Sequence, residues 1–171
     1  AAIAPNDPMA RATYAESLTL VGQHSQAVAQ INAIITKSTF DTDVLRVGST
    51  ILSRAGEFEH SVALMKRVIE LDPATSPGNL ASPLGTSLYL QGKYAEAADY
   101  SAQCVRRAPT NVLCRRWYVA SLAQLGKTEE ARLEAAELMK LSPGLTITEQ
   151  TERMMRTFRD PQYRSEEHTS E

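Results

Sequence analysis

Hydrophobic residues recur along most of the chain at the spacing of an α-helix, separated by short polar stretches. Val28, Ile31 and Ile35 lie about one helical turn apart, and Met65 and Ile69 repeat this spacing further along. Such a stretch places its apolar residues on one face, as in a helix that packs against a core. The pattern predicts an all-α chain with helices near residues 8–21, 24–37, 42–54, 58–71, 80–91, 94–107, 111–125 and 128–140.

Four glycines give the helical pattern a regular period of 34, 36 and 34 residues. Glycine ends a helix because it adopts the left-handed conformation without steric cost. A small residue follows each glycine by five positions and lets the second helix lie close to the first. A proline follows the last three glycines by 17 positions and stops that second helix, whereas Thr39 stands there in the first unit. The glycines are Gly22, Gly56, Gly92 and Gly126, the small residues Ala27, Ser61, Ala97 and Ala131, and the prolines Pro73, Pro109 and Pro143.

The third unit carries the fullest version of this pattern. Its marked positions are Leu84, Gly85, Leu88, Gly92, Lys93, Tyr94, Ala97 and Pro109. The pattern resembles the tetratricopeptide repeat, a helix–turn–helix motif, and the resemblance extends over residues 8–143. It implies a right-handed α-solenoid of about four repeat units with a C-terminal capping helix. Ala15, Ser49 and Val119 replace a family glycine in the first helix, which we expect to loosen the packing without changing the fold.

The period also divides the chain into segments. Pro5 lies 34 residues before Thr39, so residues 1–7 are interpreted as the tail of a truncated preceding repeat. Residues 146–163 are expected to form the capping helix, because Ile147, Met155 and Phe158 would cover the last unit. The predicted units are residues 8–41 (unit 1), 42–77 (unit 2), 78–111 (unit 3) and 112–145 (unit 4).

The last eight residues, 164–171, form a polar tail. Their sequence resembles the in-frame translation of a widely used sequencing adapter. We interpret the segment as an artefact of library DNA that lies outside the fold. A genuine polar, frayed terminus is the alternative.

The junction between units 2 and 3 is two residues longer than the other junctions. Pro83 consequently falls early in the next helix, where the first turn tolerates proline. Two interpretations are open: a slight kink that alters the curvature of the solenoid, or a local opening that admits a ligand.

Composition and charge exclude several classes of protein. A hydrophobic content of 43% excludes a disordered tail. The 18 Lys and Arg residues oppose 20 Asp and Glu residues, for a net charge of −2, which argues against binding nucleic acid through a broad basic field. The longest apolar run is far shorter than a membrane-spanning helix, so we expect no membrane partner.

The sequence shows no catalytic, cofactor-binding or metal-binding constellation. His24 is expected to pack at a turn, and His60 to lie exposed on a helix without a partner at ligand spacing. Cys104 and Cys114 are ten residues apart; buried free thiols in a reducing compartment are the favoured interpretation, with a disulfide as the alternative. We therefore expect these residues to have no enzymatic activity of their own, with an enzyme left open as the parent protein, and a cytoplasmic location.

The resemblance implies where a partner binds. In tetratricopeptide arrays the first helix of each unit lines a concave face, so inward positions of these helices form a candidate peptide groove. Their small hydroxyl, Arg and Tyr side chains suit an extended peptide, although they serve equally well as solvated surface. The candidate groove residues are Arg46, Thr50, Ser53, Asn79, Ser82, Thr86, Tyr89 and Arg116.

Two pairs of neighbouring arginines form the main basic concentration. Arg106 and Arg107 come before one inter-unit junction, and Arg115 and Arg116 follow it. We interpret them as two cations at a helix C-terminus and two on a solvated face. A docking point for an acidic peptide is the alternative.

Residues 138–145 and 156–161 carry a second resemblance, to the C-terminal end of tetratricopeptide regions in bacterial multidomain signalling proteins. In those proteins the repeats follow a class III adenylate or guanylate cyclase domain or a DNA-binding winged helix. The resemblance implies a cytoplasmic, regulatory, non-catalytic scaffold for a partner protein or for another domain of the same chain. The alternatives are a fragment of a class III cyclase that lacks its catalytic domain, and a fragment of a winged-helix transcriptional regulator.

Overall fold

The structure, a computed structural model, describes residues 7–37, 40–74, 81–144 and 146, without the side chains of residues 81 and 82. These residues form helices and turns and contain no strand. Apart from the first helix of unit 3, the described helix ends agree with the predicted ends to within two residues. The elements are α1 (Pro8–Leu20), α2 (His24–Ile35), α3 (Thr42–Arg54), α4 (Phe58–Leu71), a π-helical turn π1 (Ala81–Gly85), α5 (Thr86–Leu90), α6 (Tyr94–Arg107), α7 (Val112–Gln124) and α8 (Thr128–Leu141).

Three of the first helices begin at a side chain that caps them. Asp7 Oδ1 accepts a hydrogen bond from the Met9 backbone N–H at 2.9 Å, and Asp41 Oδ1 accepts one from the Asp43 N–H at 3.1 Å. Asn111 caps α7 in the same way. Each cap satisfies a backbone donor that the helix itself leaves unpaired. The three caps each lie 15 positions before the glycine of their unit, so the period fixes helix starts as well as helix ends.

Each pair of helices is joined by a short turn at its glycine. The four repeat glycines have φ between +71° and +86°, the left-handed region predicted for them. In the first turn, the Gln23 N–H donates to the Leu18 carbonyl at 2.8 Å, and this bond recurs between Glu57 and Leu52. The turn therefore pairs the last carbonyls of the first helix and directs the chain back along it.

The small residue after each glycine lies at the contact between the two helices of a pair. Ala27, Ser61 and Ala97 are fully buried, and Ala131 is nearly so. Ser49, which replaces a family glycine, donates to the Ser61 carbonyl at 2.9 Å, and Ser61 Oγ donates back to the Ser49 carbonyl at the same distance. The loosened packing expected at Ser49 is therefore wrong, because reciprocal hydrogen bonds hold α3 and α4 together.

The first helix of unit 3 is divided between π1 and α5. Pro83 lies within π1, where it has no N–H to donate to an α-helical ladder. The regular helix predicted from residue 80 is therefore wrong in its first turns. Gly85 closes π1 directly beneath Trp117: a Cβ atom on Gly85 would lie 3.1 Å from Trp117 Cγ. Units 3 and 4 meet at this close contact.

The two cysteines are paired. Cys104 near the end of α6 and Cys114 in the first turn of α7 form a disulfide, with their Cα atoms 5.6 Å apart. That separation lies in the usual range for disulfides. The favoured interpretation of buried free thiols is therefore wrong, and it no longer supports a reducing compartment.

Several predictions concern residues outside the described ranges. These are the tail of a preceding repeat at residues 1–6, the middle of the extended junction at 75–80, most of the capping helix, and the adapter-like segment at 164–171. The unit boundaries remain predictions.

Candidate peptide-binding face

The first helices of successive units lie side by side. Helix α1 contacts α3, α3 contacts π1, and π1 and α5 contact α7. The second helices contact the first helices on either side, and no comparably extensive contact joins α2 to α4 or α4 to α6 among the described residues. The row of closely spaced first helices is therefore the inner side of the array, which we call the inner face.

Arg46, Thr50 and Arg116 are the candidate groove residues that keep partial exposure, and they belong to the first helices α3 and α7 that form this face. The Arg46 side chain is 30% exposed, and its Nη2 lies 3.4 Å from Asp43 Oδ1. Because Asp43 is itself 72% exposed, this ion pair is weak. Arg46 Nε is buried and has no hydrogen-bond partner among the described residues. The exposed part of the Arg46 side chain, rather than Nε, is what a bound carboxylate could reach.

Arg116 is oriented by an aromatic ring. Its guanidinium carbon lies 5.1 Å from the centroid of the Trp117 ring, a cation–π distance. Trp117 itself is 1% exposed and therefore fixed by the core. The contact with this fixed ring orients the guanidinium of the half-buried Arg116, and a planar guanidinium suits carboxylate recognition.

Three other candidates are packed inside the protein. Ser53, Thr86 and Tyr89 are only 3%, 6% and 3% exposed. Ser87 Oγ donates to Ser53 Oγ at 3.0 Å, and Gln124 Nε2 donates to the Tyr89 hydroxyl at 3.2 Å. The Tyr89 ring also packs against Tyr94 and Trp117. These side chains support the inner face and leave little surface for a ligand.

The remaining two candidates, Asn79 and the Ser82 side chain, lie outside the described residues. One ion pair between first helices was not predicted from the sequence. Arg54 Nη1 donates to Glu16 Oε1 at 3.0 Å and to Thr19 Oγ1 at 3.3 Å. This ion pair joins α1 to α3 although its two residues are 38 positions apart in sequence. The residues next to Arg54 and Glu16 give no indication that the two side chains pair. The ion pair therefore links the first helices of units 1 and 2.

Arg115 differs from its expected role as a solvated cation. It is 7% exposed and forms an ion pair with Glu134 on α8. Its Nη2 also donates to the Pro109 carbonyl at 3.1 Å. A buried charge persists in a protein when it is paired and hydrogen-bonded in this way. Arg115 therefore has a structural role in the contact between α7 and α8. Arg106 and Arg107 are exposed at the end of α6, as predicted.

His24 and His60 differ in their exposure. His24 is 5% exposed at the start of α2, as expected for a ring packed at a turn. His60 is exposed as predicted, but its Nδ1 lies 3.0 Å from Glu57 Oε2, a partner that the sequence analysis missed. Over residues 7–37, 40–74, 81–144 and 146, no three His, Cys, Asp or Glu side chains gather as metal ligands. No helix in these ranges is long and apolar enough to cross a membrane.

Solved structures with a similar fold are repeat arrays. A structure of MamA (AMB-1) shares 19% identity with a TM-score of 0.70 and covers 85% of each chain. A double mutant of MamA (RS-1) shares 15% identity with a TM-score of 0.70, covering 98% of this chain and 94% of its own. YrrB, described as a TPR protein with an unusual peptide-binding site, shares 17% identity with a TM-score of 0.64, covering 81% of this chain and 70% of its own.

Comparison at the level of sequence gives no further relation. No protein-family model matches the chain, and no curated protein sequence matches it significantly. At identities below 20% the structural matches establish the fold alone. The predicted all-α solenoid is confirmed, and the chain has the fold of a tetratricopeptide-repeat array.

Proposed function

We propose that this chain is a non-catalytic scaffold whose inner face binds an extended acidic segment of a partner protein. The observation that carries the proposal is the weakly paired, half-buried Arg46 on α3, together with the stacked Arg116 on α7. Charge-assisted bonds from arginine to carboxylates are among the stronger contacts in protein recognition. Arginines in partly desolvated positions are also frequent centres of binding energy.

The spacing of the two arginines sets the partner's pattern. They belong to units 2 and 4, so one unit separates them. Packed helices lie about 8–10 Å apart, which puts the two guanidinium groups about 20 Å apart. An extended peptide advances about 3.3 Å per residue, so about six residues span that distance. We expect two acidic residues at positions i and i+6 of the partner segment.

A designed peptide tests this pattern. The probe is a fluorescein-labelled peptide with Glu at positions 1 and 7, separated by Ser and Ala, and its control carries Gln at both positions. We expect the Glu peptide to bind more tightly in fluorescence anisotropy. Removal of one charge-assisted bond costs about 1.5–3 kcal/mol, so Arg46→Ala and Arg116→Ala should each weaken binding about 10- to 100-fold.

The matched control is Arg132→Ala on the second helix α8, where the Arg132 side chain is 73% exposed and away from the inner face. This variant should bind like the wild type. Equal loss in Arg132→Ala and Arg46→Ala, or equal binding of the Glu and Gln peptides, would contradict the proposal.

We further propose that the array is the regulatory region of a larger bacterial, cytoplasmic signalling protein, in which the inner face meets a partner or another domain of the chain. The resemblance of residues 138–145 and 156–161 supports this. A fragment of a class III cyclase or of a winged-helix regulator is the alternative parent, and residues 164–171 are proposed to be adapter-derived. A long-read sequence of the locus tests all three: an upstream cyclase or winged-helix domain identifies the parent, and genomic coding of 164–171 excludes the adapter.

A further inference from the structure

A cavity opens between the end of α4, π1 and the second half of α6. Its empty space is about 590 Å³, including the part open to solvent. Leu84, Ser101 and Cys104 are its buried lining, and the half-buried Ile69 and Tyr100 flank them. We call this space the junction pocket, because it lies where the longer connection between units 2 and 3 begins.

Smaller side chains account for part of the pocket. Ser101 and Cys104 in α6 lie 36 residues after Met65 and Val68 in α4, the same positions of the preceding unit. Met65 and Val68 are 0% and 1% exposed and belong to the central core. The position that a methionine side chain fills in unit 2 therefore carries only a hydroxymethyl group in unit 3.

A difference in the first helices of the two units also lies at this position. Leu84 of π1 corresponds to Gly48 of α3. A Cβ atom on Gly48 would lie 2.8 Å from Ile35 Cδ1, so α2 closes directly onto that glycine. In unit 3 the corresponding residues are Leu84 and Ile69, and both line the junction pocket.

We propose that the junction pocket binds an uncharged aliphatic group of about the size of a methionine side chain. The preceding unit fills the equivalent position with such a side chain, and most of the buried lining is carbon and sulfur. Burying apolar surface there is favourable, whereas a charged group would lose its hydration without a buried partner of opposite charge. Asp72 and Arg107 lie at the mouth, where they contact the polar part that carries the aliphatic group.

The site is separate from the inner face, since it lies between the second helices α4 and α6. It therefore stands independently of the acidic-peptide proposal. A local opening that admits a ligand was one of the two interpretations of the longer junction, and the proposal specifies the kind of ligand.

An NMR titration of the full chain with 1-hexanol tests the proposal. We expect saturable amide shifts at Ile69, Leu84 and Ser101 on addition of hexanol, and at least tenfold weaker binding of ethanol, which has the same hydroxyl group but a much shorter aliphatic chain. The variant Ser101→Met restores the residue of unit 2 and fills the pocket. It should abolish the hexanol shifts and raise the midpoint of thermal unfolding.

Ser17→Met, an exposed serine on α1, is the matched control and should leave hexanol binding unchanged. If circular dichroism shows that Ser101→Met fails to fold, Ser101→Val supplies a smaller filling group for the same measurement. Hexanol shifts that persist in the filled variant, or that never saturate at these residues, would overturn the proposal.

A second titration identifies the source of the aliphatic group. The probe is acetyl-Ala-Ala-Met-Ala-Ala-amide, with the all-alanine pentapeptide as its control. Saturable shifts at the same residues by the methionine peptide, lost in Ser101→Met, assign the pocket to a partner's side chain. Shifts with hexanol alone assign it to a free aliphatic molecule. If neither probe binds, the proposal is wrong.

Discussion

At the scale of single residues, two glycines of unit 3 are required for different reasons. Gly92 has φ +71°, and a Cβ atom there would meet nothing within 4 Å. Gly85 has a helical backbone, but its Cβ would press on the Trp117 ring. Substitution at Gly92 therefore costs backbone strain alone, and substitution at Gly85 costs packing.

The strain at Gly92 is measurable by mutation. Gly92→Val should lower the free energy of unfolding by about 1 kcal/mol or more, because a β-branched residue is unfavourable in the left-handed region. Thermal and urea unfolding followed by circular dichroism measure the change. Ala95→Val, at an exposed position in the first turn of α6, is the control for the helix propensity of valine. An unchanged unfolding midpoint in Gly92→Val would show that the turn has another conformation.

At the scale of elements, α7 is fixed to both of its neighbours. The Cys104–Cys114 disulfide joins its first turn to the end of α6. The ion pair of Arg115 with Glu134 joins the same turn to α8. Two side chains adjacent in sequence thus face opposite neighbours, because successive residues on a helix project about 100° apart. The first turn of α7, next to the candidate residue Arg116, is therefore held in place by both neighbouring helices.

The disulfide prediction is tested by reduction. The bridge closes a loop with a sequence separation of 10 residues, for which we expect about 2–3 kcal/mol of stabilisation. Dithiothreitol should therefore lower the thermal midpoint of the wild-type chain. It should have no effect on the double variant Cys104→Ala, Cys114→Ala. Two reactive thiols in the air-oxidised chain, measured with a thiol reagent, would show that the bridge does not form.

At the scale of the whole molecule, a buried serine network connects units 2 and 3. Ser87 Oγ of α5 lies 3.0 Å from Ser53 Oγ of α3 and 2.9 Å from Ser61 Oγ of α4. The three side chains are at most 3% exposed. Ser87 Oγ thus gives the buried Ser53 hydroxyl a partner and adds a second contact to Ser61 Oγ, which also donates to the Ser49 carbonyl. The network thus couples the two units that the longer junction separates in sequence.

Removal of Ser87 Oγ should weaken that coupling. We expect Ser87→Ala to reduce the free energy of unfolding by about 1–2 kcal/mol, since buried hydroxyls on two other helices lose a partner. We also expect a broader urea transition, because a repeat array unfolds cooperatively only while neighbouring units stabilise each other. Ser17→Ala on the exposed face of α1 should change neither quantity. A transition as sharp as that of the wild type would place the coupling in apolar contacts instead.

The sequence determined the helices, their turns and the repeat period, because these depend on neighbouring residues. A glycine with positive φ, a capping Asp or Asn and an apolar residue every three or four positions act over one or two helical turns. The register of the repeats also predicts that Arg46, Thr50 and Arg116 face a groove, and the structure leaves these three side chains partly exposed. The register did not predict that Ser53, Thr86 and Tyr89 are buried.

Only the tertiary structure decided how residues distant in sequence come together. The pairing of Cys104 with Cys114, the ion pair of Arg115 with Glu134 and the burial of Tyr89 against Trp117 each depend on where a neighbouring helix lies. The junction pocket depends on the separation of three elements at once. Helix positions follow from the packing of all the side chains between them, and no local pattern specifies that distance.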